Sequence, residues 1–185
     1  KEAELSIRKA IELNPNFTDA HCNLGSILRD IGKLQEAELS TRKAIEIKPD
    51  YAEAYSNLGN ILKDLGKIHE AELSIRKAIE IKSDFAEAHL NLGFILRNLG
   101  KSKEAFDSYI KAIYINPKNG NFYNLITRFL RDSDPSQLNK SNLKKILNLL
   151  LERNDISHQE LTGAFNFLYS NEIISNLEKL DRKSS

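Results

Sequence analysis

A repeat step of 34 residues constrains this chain more than any other feature. Gly25, Gly59 and Gly93 recur at that step, as do Ala20, Ala54 and Ala88, then Ala37, Ala71 and Ala105, then Ala44, Ala78 and Ala112. Pro15, Pro49 and Pro117 share a further slot in which Ser83 fills the missing place, and Gly32, Gly66 and Gly100 mark another. A period of this length means one small unit copied along the chain, each copy burying its apolar face only against its neighbours.

The unit itself can be read from its middle copy. Between Ala52 and Leu65 the apolar residues Ala54, Leu58, Ile61, Leu62 and Leu65 fall at helical spacing and define one amphipathic helix. Gly66 and Lys67 interrupt it, and a second helix is predicted from about Ile68 to Ile81, where "KSDF" turns the chain, as "KPDY" and "NPNF" do in the sister copies. Each unit is helix, turn, helix. The recurring Gly and Ala carry nothing beyond a methyl group, so paired helices can approach closely.

These residues match the pattern W-x-x-L-G-x-x-Y followed by A, F, A and P through Leu58, Gly59, Ala71 and Ala78, with Pro49 and Pro117 in the sister copies. The Trp slot holds His21, Tyr55 and His89; the first Tyr slot holds Leu28, Leu62 and Leu96; the Phe slot holds Thr41, Ile75 and Tyr109. The array resembles the tetratricopeptide repeat. That resemblance implies an all-α fold, a right-handed α-solenoid of helix pairs whose first helices line a concave groove. Residues 1–17 are then the second helix of a truncated repeat. Residues 18–119 form three complete units, 18–51, 52–85 and 86–119, and 120–185 is a non-repeat helical cap or connector.

After Gly120 the period lapses. Tyr123, Ile126 and Leu130 fall near the slots of a fourth first helix, but Thr127 stands where the small Gly should be, so repeat stacking is expected to end here. Asp134-Pro135 with Gln137 reads as a helix start leading through Leu138, Leu143, Ile146, Leu147 and Leu150 to about Arg153. Ser157 with Glu160 reads as a capping box opening a helix with Leu161, Phe165, Leu168 and Tyr169. Ile173, Ile174, Leu177 and Leu180 suggest one more. The tail either covers the apolar end of the array or bridges to a further domain beyond Ser185.

On the first helix, Glu53, Asn57, Asn60 and Asp64 repeat the core spacing displaced by one residue, forming a polar stripe beside the core. By the resemblance, Asn23, Asn57 and Asn91 rise in a row along the groove. An amide offers one acceptor and two donors, which suits the N–H and C=O of a peptide backbone whatever its side chains. Packed helices lie about 8–10 Å apart and an extended chain advances about 3.3 Å per residue, so one Asn per unit meets about every third ligand residue. The phrase "AEAYSNLGNILKDLGK" looks most like the repeats of O-linked N-acetylglucosamine transferases, and that likeness implies an asparagine ladder gripping substrate peptides. The candidate groove set is Asn23, Asn57, Asn91, Asn60, Ser26, Arg29, Lys63 and Arg97, its three cations favouring acidic ligand side chains and offset by Asp19, Glu53, Glu87, Asp30 and Asp64. The competing reading is a solvated face copied by duplication. In chaperone-binding members of the family, cations that clamp a terminal carboxylate stand at the slots of Cys22, Ser56, Leu90 and the asparagines, so that activity is not expected here.

Lys and Arg number 27 against 26 Asp and Glu, with no basic excess in either half, so no nucleic-acid partner is expected. No apolar run nears the roughly 20 residues of a membrane helix. Cys22 is the only cysteine, which excludes an internal disulfide and suits a reducing compartment, with a cytoplasmic location expected. It is expected to face the groove and be passive. His21 and His89 occupy the aromatic slot and are expected to pack between helices. No metal pair, phosphate-cradling loop or activated nucleophile stands out, so neither a cofactor nor an enzymatic activity is expected of this stretch. The chain starts in mid-repeat without Met, which suggests a fragment. Leu5, Ile7, Ala10 and Ile11 of its first helix lack a covering partner, and self-association through that end is expected. The function expected is a protein-interaction scaffold that holds an extended peptide of a protein partner. The alternative is the substrate-recruiting arm of a larger transferase.

Overall fold

Two local rules generate the helices: apolar residues at helical spacing, and a glycine where each first helix must stop. In the computed structural model, which describes residues 2–170, the helices are α1 (Glu2–Leu13), α2 (Thr18–Asp30), α3 (Leu34–Ile47), α4 (Ala52–Asp64), α5 (Ile68–Ile81), α6 (Ala86–Asn98), α7 (Ser102–Ile115), α8 (Gly120–Asp132) and α9 (Lys140–Leu151). No strand is present among the described residues. Gly32 and Gly66 adopt φ of +79° and +78°. In the first case the Lys33 N–H reaches back to Leu28 O at 2.8 Å and the Gly32 N–H to Arg29 O at 3.0 Å. This paired bonding satisfies the last carbonyls of α2, and Gly66 closes α4 in the same way.

Two compact units can be distinguished, residues 1–100 and 101–185. In the first, α2 packs on α3 and α4 on α5, and each second helix packs on the first helix that follows it, α3 on α4 and α5 on α6. Successive first helices also touch, α2 against α4 and α4 against α6. Leu24, Leu28, Ala37 and Ile61 form one cluster, closed by Ile7, Ile11 and Leu65; Cys22, Ala44 and Ala54 form another with Ile45 and Tyr51. Burying each large member contributes about 1.5–3 kcal/mol. Gly25 faces Thr41, and a Cβ there would overlap the Thr41 hydroxyl and lie 3.3 Å from Ala37 O, so the close approach of paired helices expected from the small residues is present. On α1, Ile7 and Ile11 are half-buried against this core, while Leu5 and Leu13 are exposed.

The aromatic slot has a definite task. His21 Nε2 donates to Pro15 O at 2.8 Å and His89 Nε2 to Ser83 O at 3.0 Å, each six residues back, pinning the turn that precedes its helix. Tyr123 does the same in the second unit, its hydroxyl donating to Pro117 O at 3.1 Å.

The second unit gathers Phe106, Tyr109 and Phe129, with Phe129 stacked at 6.1 Å on Phe106 and edge-on at 5.3 Å to Tyr109. Thr127 is buried and its hydroxyl has no hydrogen-bond partner among the described residues. Two expectations for the tail need correction. Asp134 does cap Pro135, accepting from the Ser136 N–H at 2.9 Å, but only a short 3-10 turn over Pro135–Gln137 follows. Leu138 then turns extended to bury its side chain, and α9 starts afresh at Lys140 with Asn139 accepting from the Asn142 N–H. Ser157 makes no side-chain cap: its backbone carbonyl accepts from the Glu160 N–H in a second 3-10 turn, and the Glu160 carboxylate pairs with Arg131 at 3.5 Å. Residues 162–170 are helical, and the helix expected around Ile173, Ile174, Leu177 and Leu180 lies outside the described residues.

Candidate functional site

The polar stripe lies along the seam where successive first helices of the first unit meet. Displacement by one residue from the core spacing turns Asn57 away from the α4–α5 interface and toward α2, where its Nδ2 donates to Ser26 Oγ at 2.9 Å and to Cys22 Sγ at 3.2 Å. Ser26 in turn donates to Cys22 O, one turn back on α2, at 3.4 Å. Asn57, Asn60, Asn91 and Ser26 are half-buried, and Asn23 is exposed at the start of the row. Asn23 and Asn91 make no side-chain hydrogen bond among the described residues, so the row combines one anchored amide with two open ones.

The same two helices are joined at both ends of the stripe. Near the start of α2, the Tyr51 hydroxyl donates to Asp19 Oδ1 at 2.8 Å; burial and that carboxylate together push the phenol above its ordinary range, and it stays neutral. Near the end, Arg29 Nε pairs with Asp64 Oδ2 at 2.6 Å, and Lys63 Nζ lies 3.7 Å from the other oxygen of that carboxylate. Lys82 pairs with Glu53 at 3.2 Å. Two of the cations expected to attract acidic ligands are therefore drawn to one carboxylate of their own array. Arg97 is exposed at the corresponding slot of α6.

Cys22 departs from expectation. It is 2% exposed, because its thiol is covered by the Asn57 amide and by the cluster around Ala54. Burial raises the thiol above its ordinary value, more than the hydrogen bond from Asn57 lowers it, which makes it a poor nucleophile. The bonds from Asn57 to Cys22 and Ser26 escaped the sequence reading. The only available signal was the spacing of Ser26 four residues after Cys22, which permits a hydroxyl to bond back to the preceding turn. Among the described residues no group of three or more His, Cys, Asp or Glu could hold a metal ion, and no helix is long and apolar enough to cross a membrane.

A concavity of about 470 Å³ lies between α1 and α3 over α2. Its floor is Ile11, Leu24 and Leu28, and Arg8 bridges to Glu36 at its rim at 2.9 Å. Leu39 at its edge is exposed, as are Leu5 and Leu73 at the same slot of α1 and α5.

Among solved structures the chain is similar to MamA, with TM-score 0.65 and 24% identity over 80% of this chain and 85% of that one. It is similar to YrrB, described as a TPR protein with an unusual peptide-binding site, with TM-score 0.69 and 20% identity over 90% and 83%. It is also similar to the first TPR of Spaghetti (RPAP3) bound to the HSP90 peptide SRMEEVD, with TM-score 0.57 and 20% identity over 60% and 89%. At these identities the likeness is one of fold. No curated protein sequence matches the chain. Family models described as TPR or tetratricopeptide repeats match residues 7–38, 25–66, 52–85 and 86–119. With those matches running from residue 7 to residue 119, the chain belongs to the tetratricopeptide repeat family.

Proposed function

We propose that the chain is a protein-interaction scaffold whose first-helix seam receives an extended polypeptide. In this reading Asn23, Asn57, Asn60 and Asn91 address the ligand backbone, with Ser26, Arg29, Lys63 and Arg97 bordering it. The observation that carries it is the placement of Asn57: half-buried on the seam, its amide fixed by two hydrogen bonds and its carbonyl oxygen left for a ligand. A preorganised polar group loses little freedom when a ligand binds it. The neighbour YrrB, described as having a peptide-binding site, and the Spaghetti domain bound to a peptide support the class of partner. The pairing of Arg29 and Lys63 with Asp64 supports recognition of a neutral backbone over an acidic tail. A reducing compartment such as the cytoplasm suits the single thiol.

The test is a fluorescence-polarisation screen of short random peptides against the chain, followed by replacement of Asn23, Asn57 and Asn91 with Ala together. Loss of binding in the triple variant is expected; a ligand held equally by that variant sinks the asparagine row. The likeness of residues 52–67 to O-linked N-acetylglucosamine transferase repeats motivates a second reading, in which the same groove recruits substrate for a larger transferase. The full open reading frame tests it, because a catalytic domain must then accompany the array.

A further inference from the structure

We infer that Cys22 and Ser26 are positioning residues that make Asn57 a pure acceptor, so that this rung of the groove takes a backbone N–H of the ligand and rejects proline there. The inference rests on the groove reading above and names the chemistry of one of its rungs. An asparagine amide has two N–H donors and one carbonyl acceptor. Both donors of Asn57 are occupied, one by Ser26 Oγ at 2.9 Å and one by Cys22 Sγ at 3.2 Å. Its Oδ1 makes no hydrogen bond among the described residues.

The orientation of this amide follows from the bonding around it. Ser26 has a single hydroxyl hydrogen, and that hydrogen is directed to Cys22 O. Its oxygen can therefore only accept from Asn57, and turning the amide over would set two acceptors face to face. Cys22 keeps its proton because burial raises the thiol, and its sulfur accepts the second amide hydrogen. One step along the seam the arrangement is absent: the slots of Cys22 and Ser26 hold Ser56 and Asn60, and Asn91 bonds to neither. Asn23 is open at the start of the row. The two outer asparagines can thus both donate and accept, while the middle one can only accept. An extended ligand must present a secondary amide to it, and proline, having no N–H, cannot.

The experiment has two parts. In the ligand-free protein, hydrogen exchange of side-chain amides is followed by NMR. Asn57 is expected to exchange at least about tenfold more slowly than Asn23, and Ser26→Ala is expected to speed Asn57 alone. Equal exchange at Asn57 and Asn23 overturns the inference and leaves the groove reading standing. In the second part, random short peptides capped at both ends by acetyl and amide groups are selected on the wild-type chain. The best binder is then remade with each backbone amide replaced in turn by an ester, which lacks the N–H. At one position proline is expected to be excluded and the ester to weaken binding about tenfold. That penalty is expected to vanish in Asn57→Ala and to shrink in Ser26→Ala, where one amide hydrogen is released to the ligand. An ester penalty that survives Asn57→Ala overturns the inference, and a library that yields no binder at all overturns the groove reading itself.

Discussion

Gly59 on α4 and Ile75 on α5 fit so closely that a Cβ at Gly59 would lie 2.5 Å from Ile75 Cδ1 and 3.3 Å from Ala71 O. The recurring glycine is therefore a contact and not a flexible joint. Gly59→Ala gains helix propensity of about 1 kcal/mol but must displace a fully buried Ile. The net change expected is a loss of about 1–3 kcal/mol, read as a lower midpoint in urea unfolding. Adding Ile75→Ala should cost less in the Gly59→Ala background than in the wild type, since the two residues share one volume.

Gly66 presents the opposite case. Nothing lies within 4 Å of a Cβ built there, yet its φ is +78°. Gly66→Ala should cost about 1–2 kcal/mol from backbone strain alone. Gly66→Asn should cost less, because Asn tolerates the left-handed region better. Thermal unfolding of both variants checks the order, and equal losses would remove the conformational explanation.

Glu38 joins consecutive second helices, accepting from Lys67 Nζ at 2.9 Å and from Arg42 Nε at 2.9 Å. Burial pushes its carboxyl up, but the hydrogen bonds from Lys67 and Arg42 outweigh burial and hold it below its ordinary 4.5. A depressed carboxyl contributes stability that is present above the unfolded value and lost as pH falls through the folded one. The acid limb of unfolding below about pH 4.5 should therefore be shallower in Glu38→Gln than in the wild type. Titrations followed by circular dichroism that superimpose would refute this.

Cys22 is 2% exposed with its thiol raised by burial. Its reaction with a disulfide reagent near neutral pH should be slow in the folded chain and rapid in denaturant. Asn57→Ala removes the amide that covers it and should accelerate modification of the folded chain. A thiol equally reactive folded and unfolded would contradict the burial.

Much of the architecture was legible from residue order because its determinants are local. The glycine at Gly66 and the apolar spacing of Leu58, Ile61 and Leu62 act within a few turns of backbone, so the helix pair could be written down without coordinates. Legibility failed where a residue had a competing partner far along the chain. Glu160 had the spacing of a capping box, but its carboxylate goes to Arg131. Asp134-Pro135 had the form of a helix start, but burial of Leu138 delays α9 to Lys140.

The candidate groove divides in the same way. The recurrence of Asn23, Asn57 and Asn91 beside the core stripe is a property of the sequence, and it settles which face of each first helix they share. Only the stacked structure decided that Asn57 is bonded to Cys22 and Ser26 while Asn91 is not, and that Asp64 draws in both Arg29 and Lys63. Asn57 lies about one repeat from Cys22 and Ser26, and Asp64 from Arg29, so their meeting depends on how neighbouring units settle on each other. A helical period read along one unit carries no information about that distance.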